Sequence, residues 1–328
     1  MGLFSIQRHG TQKIGNLLFG PLMVLWFVCL GVLGIVNIVE HPSIIKALNP
    51  YYALHFALTQ PKLAFALLSA VFLALTGGEA LFADMGHFGG KAVRMAWFAV
   101  VWPGLILNYL GQGALVLNHP DAIRNPFFLL APQSVMIAFV ILATVATIIA
   151  SQATIAGAYS MTLQAIRLNL LPRIGVLHTS DTEQGQIYIP FINALMLIGV
   201  ILLVLGLGSS SALAAAYGLA VSGTMLITTG VVLYLLSLTR PRWRVALTGT
   251  FALFAVIEVG FFVSNIGKIA HGGWLPLSLG MVFFVILYTW QRGQKYLAAE
   301  RPKHSIPMQA FLSMSKADIP RVQGTAVI

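Results

Sequence analysis

The stretch AFALLSAVFLALTGGEALFADM, residues 64–85, decides how this chain has to be read. Up to Leu75 it is apolar except for Ser69, as a helix in hydrocarbon requires. Then come a hydroxyl, two glycines and a carboxylate, Thr76-Gly77-Gly78-Glu79, followed by a second carboxylate at Asp84. A charge at the centre of a bilayer costs at least ~2.5–3.5 kcal/mol on insertion scales. Glycine is among the weakest helix formers. Their pairing inside an apolar run calls for a reason.

The rest of the chain establishes that a bilayer is the right setting. Its 328 residues are 58% hydrophobic and only 9% charged, with a mean hydropathy of +0.86. Soluble domains carry about 25% charged residues, so no ordinary water-facing surface can be built from this composition. A helix needs about 20 apolar residues to cross the hydrocarbon, and helices satisfy their own backbone there. Candidate spans lie at 16–38, 64–85, 93–117, 134–160, 189–207, 211–237, 246–266 and 272–291, eight in all. The fold class is therefore an all-α polytopic membrane protein. Only GSSS, residues 208–211, separates the fifth span from the sixth, so these two are expected to form a tight helical hairpin.

The net charge of +10 could suit nucleic acid, but its distribution argues for lipid. Of the 19 lysines and arginines, 15 fall on alternate segments outside the spans: Arg8 and Lys13, Lys91 and Arg94, Arg167 and Arg173, Arg240, Arg242 and Arg244, and the six from Arg292 to Arg321. The other side holds Lys46, Lys62, Arg124 and Lys268. This asymmetry is the positive-inside pattern, and it predicts both termini in the cytoplasm.

Three regions follow: a cytoplasmic N-terminal segment 1–15, a transmembrane domain 16–298 and a short cytoplasmic tail 299–328. The start MGLFSI is neither a signal peptide nor a myristoylation site. Residues 39–63, broken by Pro42, Pro50 and Pro61, read as an outer loop with a short interfacial helix, and Tyr51, Tyr52 and His55 suit the headgroup region. The longest cytoplasmic link, 161–188, is polar enough to be solvated. Cys29 is the single cysteine, so no intrachain disulfide forms.

Three acidic residues lie within the spans: Glu79, Asp84 and Glu258. If the helix unwinds at Gly77 and Gly78, freed carbonyls, the Thr76 hydroxyl and the Glu79 carboxylate make a hard-oxygen site, since unwound backbone at membrane depth must line a cavity or be buried in protein. The other reading is that the glycines let a neighbouring helix approach closely. Asp84 stands near Gly86, His87 and Lys91, where capping or ion pairing competes with transport. Glu258 has no polar neighbour in sequence before Ser264 and is open between packing and function. Asn108 and Gln112, and Ser151 and Thr154 with Gln152 and Ser160, could line a pathway or gate. So could Tyr217, Ser222 and Thr224. Each is equally consistent with hydrogen bonding between helices, worth ~0.6 kcal/mol on average. There is no HExxH, GxSxG or phosphate-loop motif, so the chain does not read as an enzyme.

The segment TGGEALFADMGHFG (76–89) resembles the signature of the Kup/HAK/KT potassium-uptake transporters. IQRHGTQKIGNLLFGPLMVLWF (6–27), LNYLGQGAL (107–115), IIASQATIAGAYSMTLQAI (148–166), HTSDTEQGQIYIPFIN (178–193), AYGLAVSGTM (216–225) and GGWLPLSLG (272–280) follow that family in the same order. The resemblance covers roughly residues 4–298. It implies a proton-coupled potassium symporter of the plasma membrane, in the amino acid–polyamine–cation transporter superfamily, with two inverted repeats and a broken helix at the cation site. It places Thr76, Gly77, Gly78 and Glu79 at that site. K+ and H+ are then the transported ions, no cofactor is implied, and the lipid bilayer is the standing partner. The chain begins where the family's fifth helix begins, so the reading is a truncated or partial transporter. The missing N-terminal helices, as a separate chain, or a second copy in a homodimer would complete the site. The alternatives are a carrier of amino acids or organic cations on the same fold, and a non-transporting membrane subunit.

Overall fold

The structure, a computed structural model, describes residues 2–7, 18–74, 76–77, 89–178, 187–239 and 243–304. Helix α1 is the short Gly2–Ile6. Helix α2, Gly20–Glu40, opens with Pro21 in its first turn, where the missing N–H costs nothing. The prolines that punctuate the next loop do the same. Pro42 starts a 3-10 helix to Leu48, Pro50 starts α3 (Pro50–Thr59) and Pro61 starts α4 (Pro61–Ala74). Asn49 caps α3 by accepting the backbone N–H of Tyr51 at 3.0 Å. Tyr51 lies 5.8 Å, ring to ring, from both Tyr52 and His55, so the aromatic group expected at the headgroups is assembled.

Helix α5 runs Gly90–Asn118. Trp97–Val101 is a π turn, with Trp102 N–H donating to the carbonyl of Trp97. Pro103 follows at once; having no N–H and crowding the preceding turn, it favours this wider winding. Helix α6 is Met136–Arg167, thirty-two residues. A two-residue antiparallel ribbon, β1 (Leu177–His178) with β2 (Ile187–Tyr188), precedes α7 (Pro190–Leu207). Then come α8 (Ser210–Leu238), α9 (Arg244–Ile266) and α10 (Trp274–His304).

Among the described residues, α2 and α5 through α10 are long and apolar enough to cross a membrane, seven helices. These match seven of the eight expected spans. The remaining one, 64–85, appears as α4, fourteen residues ending at Ala74, and most of its second half lies outside the described residues.

Two expectations are corrected. The α7–α8 connection is short, with Gly208 in the left-handed region (φ 60°) and Ser209 capping α8, but the two helices touch little. Apart from Asn193, α7 buries no residue, so it has no face to lay along α8. The link 161–188 is not wholly solvated: Ile187 is buried under α6, because the ribbon folds its apolar end back onto the helix. Helix α10 ends at His304, and most of the segment 299–328 lies beyond it; those residues, and Asp84, lie outside the described set.

Packing is built on two seams. Along α2 and α5 the glycines face each other. A Cβ at Gly111 would stand 2.5 Å from Gly34 Cα, and one at Gly104 would stand 2.8 Å from the Phe27 carbonyl. Small residues let backbones meet in this way, and in a bilayer such van der Waals contact is a main source of helix association. Trp26 and Phe139 stack at 5.6 Å beside this seam, and Phe127 joins them at 5.3 Å from Phe139. The second seam joins α4, α8 and α9. Phe72 lies 5.2 Å from Phe261, and Ser264 Oγ donates to the Phe65 carbonyl at 2.9 Å.

Candidate functional site

Helix α4 stops short of Thr76-Gly77, and three bonds show how. Thr76 N–H reaches back to the Leu73 carbonyl at 3.4 Å, a three-residue step instead of the four of an α-helix. The Thr76 hydroxyl donates to the same carbonyl at 2.8 Å. Gly77 then takes φ 111°, a conformation that residues with a Cβ rarely adopt. The carbonyl of Ala74, the last residue of α4, accepts the Tyr109 hydroxyl of α5 at 3.0 Å. The break therefore sits between a hydroxyl of its own and one from a neighbouring helix. Gly78, Glu79 and Asp84 lie outside the described residues.

Next to Tyr109 on α5, Asn108 is almost fully buried, and its Oδ1 accepts Gln112 Nε2, one turn further on, at 2.7 Å. Asn108 Nδ2 has no partner among the described residues. An unmet buried donor is costly, so this amide pair carries an unmet cost within α5. Ser151 and Thr154 behave differently. Each donates to the carbonyl four residues back on α6, at 2.8 and 3.1 Å, as do Thr144 and Thr147. None of these hydroxyls is hydrogen-bonded to Thr76 or Asn108 among the described residues. The structure thus brings Tyr109 to the α4 break, while the Ser151 and Thr154 hydroxyls bond their own helix.

Glu258 has a neighbour that sequence spacing could not show. Its Oε1 accepts the Thr229 hydroxyl of α8 at 3.0 Å, while Oε2 is buried without a partner among the described residues. Seven residues further along α9, Asn265 is fully buried, and its Nδ2 donates to the Phe261 carbonyl at 2.9 Å. Its Oδ1 faces Gly218, where a Cβ would come within 2.7 Å. Sequence reasoning missed Tyr109, Thr229 and Asn265. The heptad spacing of Glu258 and Asn265 was the one available signal. No cluster of three His, Cys, Asp or Glu able to hold a metal occurs among the described residues.

Comparison with known proteins gives this arrangement a family. Residues 1–295 match the family described as the K+ potassium transporter integral membrane domain. The probable potassium transport system protein Kup 2 of Chromobacterium violaceum is 51% identical over the whole chain, which covers 53% of that relative. The probable potassium transport system protein Kup of Pseudomonas fluorescens is also 51% identical over the whole chain, covering 52% of its length. A Kup 1 protein of Rhodopseudomonas palustris is 49% identical over 99% of the chain. The chain spans about half the length of the relatives it matches. No solved structure matches it. With seven membrane-length helices and a match along nearly all of its length, this chain belongs to the K+ potassium transporter family.

Proposed function

We propose that the chain takes part in potassium uptake across the cell membrane, coupled to protons, with both termini in the cytoplasm. The observation that carries this reading is the stop of α4 at Thr76-Gly77 within a set of membrane-length helices. Carbonyls at a helix break, a threonine hydroxyl and the Glu79 carboxylate are the hard oxygens an alkali cation takes in place of water. Glu79 supplies charge for the ion and a site for the proton. Residues 73–80 offer only a few oxygens, and a large hard ion takes six or more. The remaining ligands come from a second body, and alternating access is the rocking of the two against each other, as in inverted-repeat transporters.

The test uses cells lacking their own potassium importers. The chain is expressed together with the part of the Chromobacterium violaceum relative that the match leaves uncovered, and rubidium uptake is measured. Uptake is expected with both pieces and not with the chain alone. Glu79→Gln keeps the shape, loses the charge and should remove most uptake. Thr76→Ala should raise the KM by deleting one ligand. Normal uptake and unchanged pH dependence in Glu79→Gln would sink the assignment. Selective uptake of amino acids in place of rubidium would shift it to another carrier on the same fold.

A further inference from the structure

Helix α10 turns one side to the protein and leaves the other exposed. It packs against α8. The less exposed residues of its 274–300 stretch, Leu275, Pro276, Leu287, Trp290 and Gln294, fall on one side of the 3.6-residue period. The opposite side carries Phe284, Tyr288, Arg292 and Lys295, all exposed. Phe284 and Tyr288 stack with ring centroids 5.9 Å apart. The Arg292 guanidinium lies over the Tyr296 ring, 6.0 Å from its centroid, a cation–π distance. Lys295 is seven residues past Tyr288 and so stands two turns along the same face. Among the described residues neither Arg292 nor Lys295 makes an ion pair.

This face has the depth of one leaflet. Counted from Trp274 at 1.5 Å per residue, Phe284 lies about 15 Å along the axis, Tyr288 about 21 Å and Arg292 about 27 Å. Hydrocarbon is about 30 Å thick, and tryptophan favours its edge. With Trp274 at one interface, Phe284 stands at the midplane and Arg292 at the opposite headgroups. We propose that this face of α10 is a binding site for an anionic phospholipid, with an acyl chain along Phe284 and Tyr288 and the phosphate between Arg292 and Lys295. A guanidinium bonds two phosphate oxygens at once, and an ammonium adds a second point charge. The Tyr288 hydroxyl, one turn below, is a donor for the lipid's ester oxygens. A zwitterionic headgroup brings its own ammonium, so two unpaired cations select a net negative one. Protein is the poorer occupant, because the cores of protein interfaces are depleted of lysine and of charge in general. Each basic residue at an anionic membrane surface strengthens binding about fivefold, so the pair is worth roughly thirtyfold. The site stands whether or not the chain transports potassium.

The test places a dye beside the site. Gln291→Cys in a Cys29→Ala background is labelled, and the full chain is reconstituted in phosphatidylcholine vesicles. Two lipids carrying the same acyl-chain quencher are added in turn, phosphatidylglycerol and phosphatidylcholine. Phosphatidylglycerol is expected to quench at a mole fraction at least tenfold lower. Arg292→Gln combined with Lys295→Gln should abolish that preference, and Tyr288→Phe should weaken it a few-fold; all three side chains are exposed, so these variants fold. Arg244→Gln, a basic residue at the start of α9, should leave it unchanged. Equal quenching by the two lipids, or a preference that survives the double variant, overturns the site. The measurement is repeated with the second piece of the two-piece system present, and the preference is expected to persist. Its loss there would show protein covering this face and overturn the proposal. Energy transfer between chains labelled at position 291 that outlasts dilution with lipid would seat a second copy on the face, with the same consequence.

Discussion

Replacing Gly34 with alanine adds one methyl group where α2 and α5 leave no room. That Cβ would stand 2.5 Å from the Leu107 carbonyl carbon, 2.9 Å from Asn108 N, and nearer still to the Leu107 oxygen, all backbone atoms that no side-chain rotation can move. Ordinary contact begins at 3.4 Å, so the helices must part by roughly 1 Å. A gap of that size forfeits about a quarter to a half of the dispersion energy of each contact it opens. Overpacking of this kind costs about 1–3 kcal/mol, and the better helix propensity of alanine returns about 1 kcal/mol. The net expectation is a loss of about 0–2 kcal/mol, read as a melting temperature below that of a variant that gains the propensity without the clash. Cys29 is the assay: it is the single cysteine, sits half-buried on α2 itself and packs on the Leu30–Phe139 cluster, so a fluorogenic thiol dye lights up as this seam opens. Gly230 is the control. It lies within α8 with nothing within 4 Å of a would-be Cβ, so Gly230→Ala should leave the melting point equal or higher. A Gly34→Ala protein as stable as the Gly230→Ala protein would refute the claim that backbone contact holds α2 to α5.

Other outcomes are equally definite. Gly77→Ala forces a Cβ into φ 111° and should cost about 1–3 kcal/mol, seen as weaker rubidium affinity in the two-piece uptake assay. Tyr109→Phe removes the donor to the Ala74 carbonyl and should raise the KM more than it lowers the maximal rate; an unchanged KM would show that the bond does not position the break. Thr229→Val takes the one hydrogen bond from Glu258 and should lower the melting temperature, with Glu258→Gln falling less because an amide still accepts that bond. External thiol labelling should reach cysteines placed at Asn49 and Asp121 and miss one at Thr182; strong external labelling at Thr182 would invert the topology.

The spans were readable because hydropathy in a bilayer is a local property: a backbone with no water to bond must close its own hydrogen bonds, and only long apolar helices do so. The stop at Thr76-Gly77 was readable for a similar reason, since glycine carries its conformational freedom wherever it stands. What bonds across to the break, and to Glu258, was not readable. Tyr109 reaches Ala74 across 35 residues, and Thr229 reaches Glu258 across 29. Nothing in LNYLGQGAL distinguishes the tyrosine that bonds a neighbouring helix from the asparagine that bonds its own. The hydroxyls of Ser151 and Thr154 looked available for a pathway, yet each donates to its own helix, an option open to any serine or threonine there. The glycines at 31, 34, 104 and 111 were visible as residues, but which pairs would meet depends on how two helices cross.

The helices of this protein are cut to unequal lengths, and the bilayer around them has to answer. At 1.5 Å per residue, α6 measures about 48 Å and α7 about 27 Å, against hydrocarbon about 30 Å thick. The long stave overshoots at the end bearing Arg167, and α10 overshoots where Arg292 and Lys295 lie, so their excess stands in headgroups and water. The short stave cannot follow. Lipid beside α7 must thin or its neighbours must tilt, each at a fraction of a kcal/mol per ångström. Where these helices face lipid, a stepped annulus is the expected result, shallow beside α7 and full depth beside α6. A thicker membrane loads α7 while leaving α6 and α10 at ease.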